Sequence, residues 1–175
     1  MKYRVKKITF TIASLCMLLL SQYVSAHVMV AQHGTLNVLN SNVFMVLSLP
    51  VSAFEGIDDD NDGKLSSTEF SKYRAAIARV VHKKVVLKDN NGKLTLEDMM
   101  LSPVASHQLP NAPVSQLIVM GRYRLSDPLS RLEYKIELFG KAPAEQLLEI
   151  SANRKNDHKK QQAQLTPNNS NVVIF

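Results

Sequence analysis

Between His27 and Val51 apolar and polar residues alternate, as in Thr35-Leu36-Asn37-Val38 and Val43-Phe44-Met45-Val46-Leu47-Ser48-Leu49, with Asn40-Ser41-Asn42 between the two runs. A period of two turns one face of each run toward a core, so the pattern predicts two strands joined as a hairpin. From Ser66 to His82 the period changes. Phe70, Tyr73, Ile77, Val80 and Val81 recur at three and four, behind Ser66-Ser67-Thr68-Glu69, which fits a capping box. That predicts one amphipathic helix over residues 66–82. Val85-Val86-Leu87 and Leu94-Thr95-Leu96 then flank Asn90-Asn91-Gly92, which reads as a second hairpin, and Leu101 to Pro113 reads as a loop. The last third holds four short runs, Leu117 to Leu125, Arg131 to Phe139, Gln146 to Ala152 and Val172 to Phe175. Ser126-Asp127-Pro128, Gly140-Lys141-Ala142-Pro143 and the polar Asn153 to Gln162 punctuate them. Short strands about ten residues apart predict a mainly antiparallel sandwich or a single curled sheet. The expected class is α+β, dominated by β.

The first 26 residues follow a different rule. Basic MKYRVKK precedes an apolar run from Ile8 to Leu20, and Val24-Ser25-Ala26 follows. Such a run rises about 20 Å as a helix, short of the ~30 Å hydrocarbon layer. Residues 1–26 are therefore read as a signal peptide rather than as a transmembrane anchor. Cys16, the only cysteine of the chain, lies inside the apolar run after Leu15, where a lipoprotein signal would need a small residue. Residues 27–175 are then expected as a single exported domain, periplasmic or secreted. With no cysteine, that domain has neither disulfides nor thiol catalysis, and with no second long apolar run it has no expected membrane span.

Charge changes its meaning once the leader is set aside. The whole chain has a formal net charge of +6, but four of its 21 basic residues precede residue 27 and none of its 15 acids does. The remaining 149 residues carry 17 basic and 15 acidic side chains, a net of +2. That is no nucleic-acid footprint. At 45% hydrophobic and 21% charged, the composition suits an ordinary globular domain.

Residues 58–69 read Asp-Asp-Asp-Asn-Asp-Gly-Lys-Leu-Ser-Ser-Thr-Glu and meet the pattern D-x-[DN]-x-[DN]-G-x5-E at every constrained position. This stretch resembles an EF-hand calcium loop. A hard divalent cation wants six to eight oxygens at about 2.3 to 2.6 Å, and alternate residues of a tight loop point inward together. The resemblance implies one carboxylate oxygen each from Asp58, Asp60 and Asp62, the backbone carbonyl of Lys64, Ser66 directly or through water, and both oxygens of Glu69. Gly63 would take the sharp turn, and Leu65 would make a short β-contact. Phe54 and Ile57 fall where an entering helix packs inward, and Asp59 points outward in this register. A solvated acidic turn would explain the aspartates, but not Gly63, Leu65 and Glu69 in step with them.

The stretch departs from the family on its entering side. Leu49-Pro50-Val51-Ser52-Ala53-Phe54-Glu55-Gly56 leaves room for one or two helical turns, so the loop is expected as an insertion in a β-rich domain. EF-hands usually pair, and Leu87 to Asp98 aligns with the loop, Gly92 on Gly63 and Leu94 on Leu65. Its first position is Leu87 and its last is Asp98, so no calcium is expected there. An Asn-Gly hairpin explains the same residues, with Leu94 lying against Leu65, although a degenerate EF-hand stays open.

Other signals are weaker. Cleavage after Ala26 would expose His27 as an N-terminal histidine able to grip copper, with His33 as a further ligand, and this is the alternative to calcium. Met29, Met45, Met99, Met100 and Met120 read as core filler. His82, His107 and His158 show no ligand spacing, and Arg154 to Lys160 reads as a solvated basic loop. No nucleophile elbow, carboxylate pair outside the loop or glycine-rich phosphate cradle appears, so no enzymatic activity is expected. The expected function is calcium binding by an exported β-rich interaction module with an unidentified protein partner, and with no nucleic acid.

Overall fold

Residues 31–104 and 112–175 are described by a computed structural model; the expected signal peptide, His27, Met29 and His107 lie outside them. The predicted first hairpin forms from β1 (His33–Leu39) and β2 (Asn42–Pro50), with Leu36 opposite Met45. Asn40 at its tip takes φ +52°, a left-handed conformation that asparagine tolerates. A 3-10 turn over Val51–Ala53 leads toward α1 (Ser67–Lys84). Beyond it come β3 (Val85–Asp89), β4 (Gly92–Lys93), β5 (Glu97–Pro103), β6 (Gln116–Arg124) and β7 (Leu132–Ile136). A second 3-10 turn at Pro143–Glu145 precedes β8 (Leu148–Arg154), β9 (Lys159–Leu165) and β10 (Asn171–Ile174).

Among the described residues these strands make two sheets, one in the order β5-β6-β2-β1-β8-β9 and one in the order β10-β7-β3-β4. All named pairings are antiparallel except β1 with β8, which joins the first hairpin to a strand from the last third of the chain. Parallel neighbours require such a long crossover. The fold is α+β and mainly antiparallel β, as the alternation predicts. The sheets share one core, to which Leu36, Met45 and Leu47 come from the larger sheet and Leu87, Leu132 and Ile136 from the smaller. Across it, the sulfur of Met45 accepts a hydrogen bond from the Tyr134 hydroxyl at 3.2 Å, and within the larger sheet one from the Tyr123 hydroxyl at 3.8 Å. Burial pushes both phenols above their ordinary pKa, so they stay protonated donors. Two facing sheets replace the single curled sheet that the pattern also allowed.

Several local expectations need correction. The polar stretch after Ala152 is not a loop. β8 runs on to Arg154 and Lys159–Leu165 pairs with it from Leu148 opposite Leu165 to Arg154 opposite Lys159. This is an edge strand held by its backbone ladder, so no apolar alternation is needed to hold it. Arg154 is 3% exposed, not solvated. Its guanidinium donates to the carbonyls of Ser130 at 2.7 Å and Leu129 at 3.3 Å, lies 3.5 Å from Asp157 and stacks 4.4 Å from the Phe175 ring centroid. Leu101 to Pro103 belong to β5, because Leu101 pairs with Val119 and Pro103 with Leu117. After the second turn only Gly92 and Lys93 are strand, while Leu96 leaves the ladder to pack on Gly121. A Cβ at Gly121 would stand 2.6 Å from Leu96 Cδ1, which is why the close approach needs glycine. Met45 is core, but Met100 is 56% exposed on the outer face of β5, opposite Met120 of β6, which in turn lies opposite Val46 of β2.

Candidate metal centre

The acidic loop spans the interval between β2 and α1 and is pinned to the core on both sides. Phe54 and Ile57 are buried before it, and Leu65 is buried after it. The entering segment is a single 3-10 turn, at the short end of the one or two turns expected, with Gly56 at φ +69° redirecting the chain. Leu65 makes an antiparallel bridge, its N–H donating to the Val114 carbonyl at 2.8 Å and its carbonyl accepting from the Val114 N–H at 3.0 Å. The β-contact expected of this position therefore exists, but its partner is Val114 just before β6, not Leu94. Ser115 and Gln116 accept hydrogen bonds from Val51 and Val104, so the same short segment stitches the loop, the end of β2 and the end of β5 together.

Inside the loop the chain folds around its own carboxylates. Gly63, at φ +77°, donates its N–H to Asp58 Oδ2 at 2.9 Å, and Asn61 at φ +58° completes the turn. Asp60 Oδ1 accepts the Asp62 N–H at 3.3 Å and Asp62 Oδ1 accepts the Lys64 N–H at 2.7 Å. Ser66 caps α1, its Oγ accepting the Glu69 N–H at 3.2 Å, and Glu69 replies from the first turn as the sequence predicts. Glu69 Oε2 accepts both the Ser66 N–H at 2.8 Å and the Ser66 hydroxyl at 2.7 Å, while Oε1 accepts the Asp59 N–H at 2.7 Å. With two acceptor directions per oxygen, Oε1 keeps one open and Oε2 none. The expectation that both oxygens of Glu69 bind an ion thus competes with the capping box built on the same carboxylate.

The structure brings Asp58, Asp60 and Glu69 together, one oxygen from each lying within 4.8 Å of the others. Among the described residues no other three His, Cys, Asp or Glu side chains converge this way. Asp62 stands outside that group, occupied in its turn over Lys64, and Ser66 is engaged with Glu69. The electrostatics carry the mark of crowding. For Asp60 the N–H of Asp62 favours the charged form, yet desolvation and the nearby carboxylates of Asp62, Asp58 and Glu69 outweigh it and raise its pKa. Glu69 is held below the usual range, first by the Ser66 N–H, then by its hydroxyl and by the Asp59 N–H. Asp58 Oδ1 is buried and receives no hydrogen bond, an acceptor left over in a cluster that already repels itself. A hard cation with oxygen preference fits this donor set, and Asp58, Asp60 and Glu69 are the residues that would hold it.

Asp59 behaves differently. Its carboxylate turns to α1, meeting the Lys72 ammonium at 2.7 Å and the Tyr73 hydroxyl at 2.5 Å, and these bonds lower its pKa. Sequence reasoning placed Asp59 outside the cage but missed its partners. Their signal was present, since Lys72 and Tyr73 follow Glu69 by three and four residues on one helix. Val114, the brace for Leu65, carried no such signal. The look-alike segment from Leu87 to Asp98 is a hairpin: Leu87 is buried in β3, and Leu94 donates to the Leu87 carbonyl at 2.9 Å. His33 opens β1, and His82 and His158 are exposed and apart from any cluster. No helix among the described residues is long and apolar enough to cross a membrane. Compared with models of known protein families and with curated proteins, the chain matches none.

Proposed function

We propose that this chain is an exported calcium-binding protein in which one ion, held in residues 58–69, stiffens a β-rich interaction module. The convergence of Asp58, Asp60 and Glu69 within 4.8 Å, in register with Gly63 and Leu65, carries the reading. Asp58 and Asp60 supply carboxylate oxygens and Glu69 its open Oε1 direction. Asp62, the Lys64 carbonyl and Ser66, or waters on them, complete the shell. The ion is structural in this reading, because the loop is fixed to the larger sheet through Leu65 and Val114. Weak extracellular sites bind at about 10⁻⁴ to 10⁻³ M, and a dissociation constant one hundred times below the calcium level would add about 2.7 kcal/mol to folding. The interaction role is supported by Phe44 and Met100, exposed on one outer sheet face beside Val46 and Met120.

Calorimetric titration with calcium, paired with a thermal melt on the same sample, tests the reading. One ion per chain and a calcium-dependent rise in melting temperature are expected, with most of the rise lost in Glu69→Gln. Equal responses of parent and mutant to calcium and to chelator would sink it.

A further inference from the structure

We propose that Asp59, Lys72 and Tyr73 form a clamp that positions the Glu69 carboxylate and so sets how tightly the loop holds calcium; the inference rests on the calcium reading of residues 58–69. Asp59 is tied at two points. Its side chain is held on the second turn of α1 by Lys72 Nζ at 2.7 Å and Tyr73 Oη at 2.5 Å, and the Lys72 ammonium lies 4.6 Å from the Tyr73 ring centroid. Its backbone N–H donates to Glu69 Oε1 at 2.7 Å, the oxygen that retains an open acceptor direction. One residue thus links the loop's second position to the helix at one end and to the helix-borne ligand at the other.

The placement of Lys72 argues for positioning and against simple neutralisation. A cation near a calcium site opposes calcium on charge grounds, and this one pairs with the loop acid that the register keeps out of the cage. An exposed ion pair contributes little by itself. The uncharged Tyr73 hydroxyl, bonded to the other oxygen of Asp59, fixes the carboxylate in one orientation, and the peptide plane that carries the Asp59 N–H follows it.

Tyr73→Phe removes the hydroxyl with no change of charge, so calcium titration of the full-length chain should show binding weakened about three- to tenfold, the worth of one hydrogen bond. On an Asp59→Ala background the same change should have no further effect. In metal-free protein the Asp59 amide should exchange with solvent faster in Tyr73→Phe than in the parent, by a similar factor. Equal calcium affinity of Tyr73→Phe and parent, or an equal loss on both backgrounds, overturns the clamp. A parent that takes up no calcium defeats the reading beneath it. The exchange rate then decides the positioning contact alone, and an amide equally protected in both proteins overturns that as well.

Discussion

Residues 58–69 and 87–98 align position for position, yet they make opposite uses of their acids. Asp60 and Asp89 share the third position. Asp60 is exposed, and desolvation together with the neighbouring carboxylates raises its pKa. Asp89 is buried, and although desolvation opposes its charge, the Ser126 hydroxyl at 2.6 Å, the Asn91 N–H at 2.8 Å and the Ser126 N–H at 3.2 Å hold its pKa down. At the first position Asp58 keeps an unpartnered buried oxygen, whereas Leu87 is core. At the last, Glu69 opens α1 and Asp98 sits on β5, paired with Arg122 at 2.8 Å. The protein itself satisfies every acid in the second segment and leaves the first in deficit. One spacing thus yields two outcomes, acids satisfied by the protein itself in one segment and a carboxylate oxygen left without a donor in the other.

The largest effect should come from breaking the first segment. If calcium adds about 2.7 kcal/mol, saturating calcium should raise the melting temperature by roughly 5 to 10 °C, and Asp58→Ala or Glu69→Gln should remove most of that rise. Asp59→Asn should cost less than Asp60→Asn, because it loosens the Glu69 contact without removing a carboxylate from the cluster. Differential scanning with and without chelator measures all of these, and equal losses from Asp59 and Asp60 would mean general acidity rather than a defined cage.

Next in size, Asp89→Ala should destabilise the metal-free protein by about 1 to 3 kcal/mol, since it leaves the Ser126 and Asn91 donors unpaired. The calcium-dependent rise should survive intact. Urea midpoints in chelator and in calcium would separate the two segments, and loss of calcium uptake in this variant would contradict the hairpin assignment.

Acid sharpens the contrast further. Asp59, Glu69 and Asp89 all have folded-state pKa values below their ordinary 3.8, 4.5 and 3.8. The unfolded chain therefore binds protons more readily, and the stability these groups contribute is present above those ordinary values and lost as pH falls through the lowered ones. Asp60 acts in the opposite sense, its raised pKa relieving repulsion on protonation. Metal-free stability measured from pH 6 to pH 2 should fall, and Glu69→Gln should flatten part of that fall at the acidic end. A slope untouched by both Glu69→Gln and Asp89→Asn would refute the assignment of these groups.

The smallest effect belongs to Asp98→Asn, which removes an exposed partner of Arg122 and should change stability by less than about 1 kcal/mol. Calcium stoichiometry and affinity should be unchanged. Two ions per chain in the parent, with one lost on this substitution, would restore a paired EF-hand.

What the sequence by itself determined is local and periodic. Leu36 and Val38 facing one way, Ile77 and Val81 one turn apart and the Ser66–Glu69 cap follow from the geometry of strand and helix, whatever lies across from them. The acidic cluster was legible for the same reason, because Asp58, Asp60 and Glu69 lie within twelve consecutive residues. Tertiary structure alone decided what braces the loop and what satisfies the acids of the second segment. Val114 opposite Leu65, Ser126 on Asp89, β1 beside β8 and Leu129 and Ser130 on Arg154 are pairings between distant residues. The strand Lys159–Leu165 is of this kind too, since backbone bonds to β8 hold it and its polar side chains carry no period that would announce it. A hydrogen bond between backbones is blind to side-chain type, so no pattern of residues records where it will form.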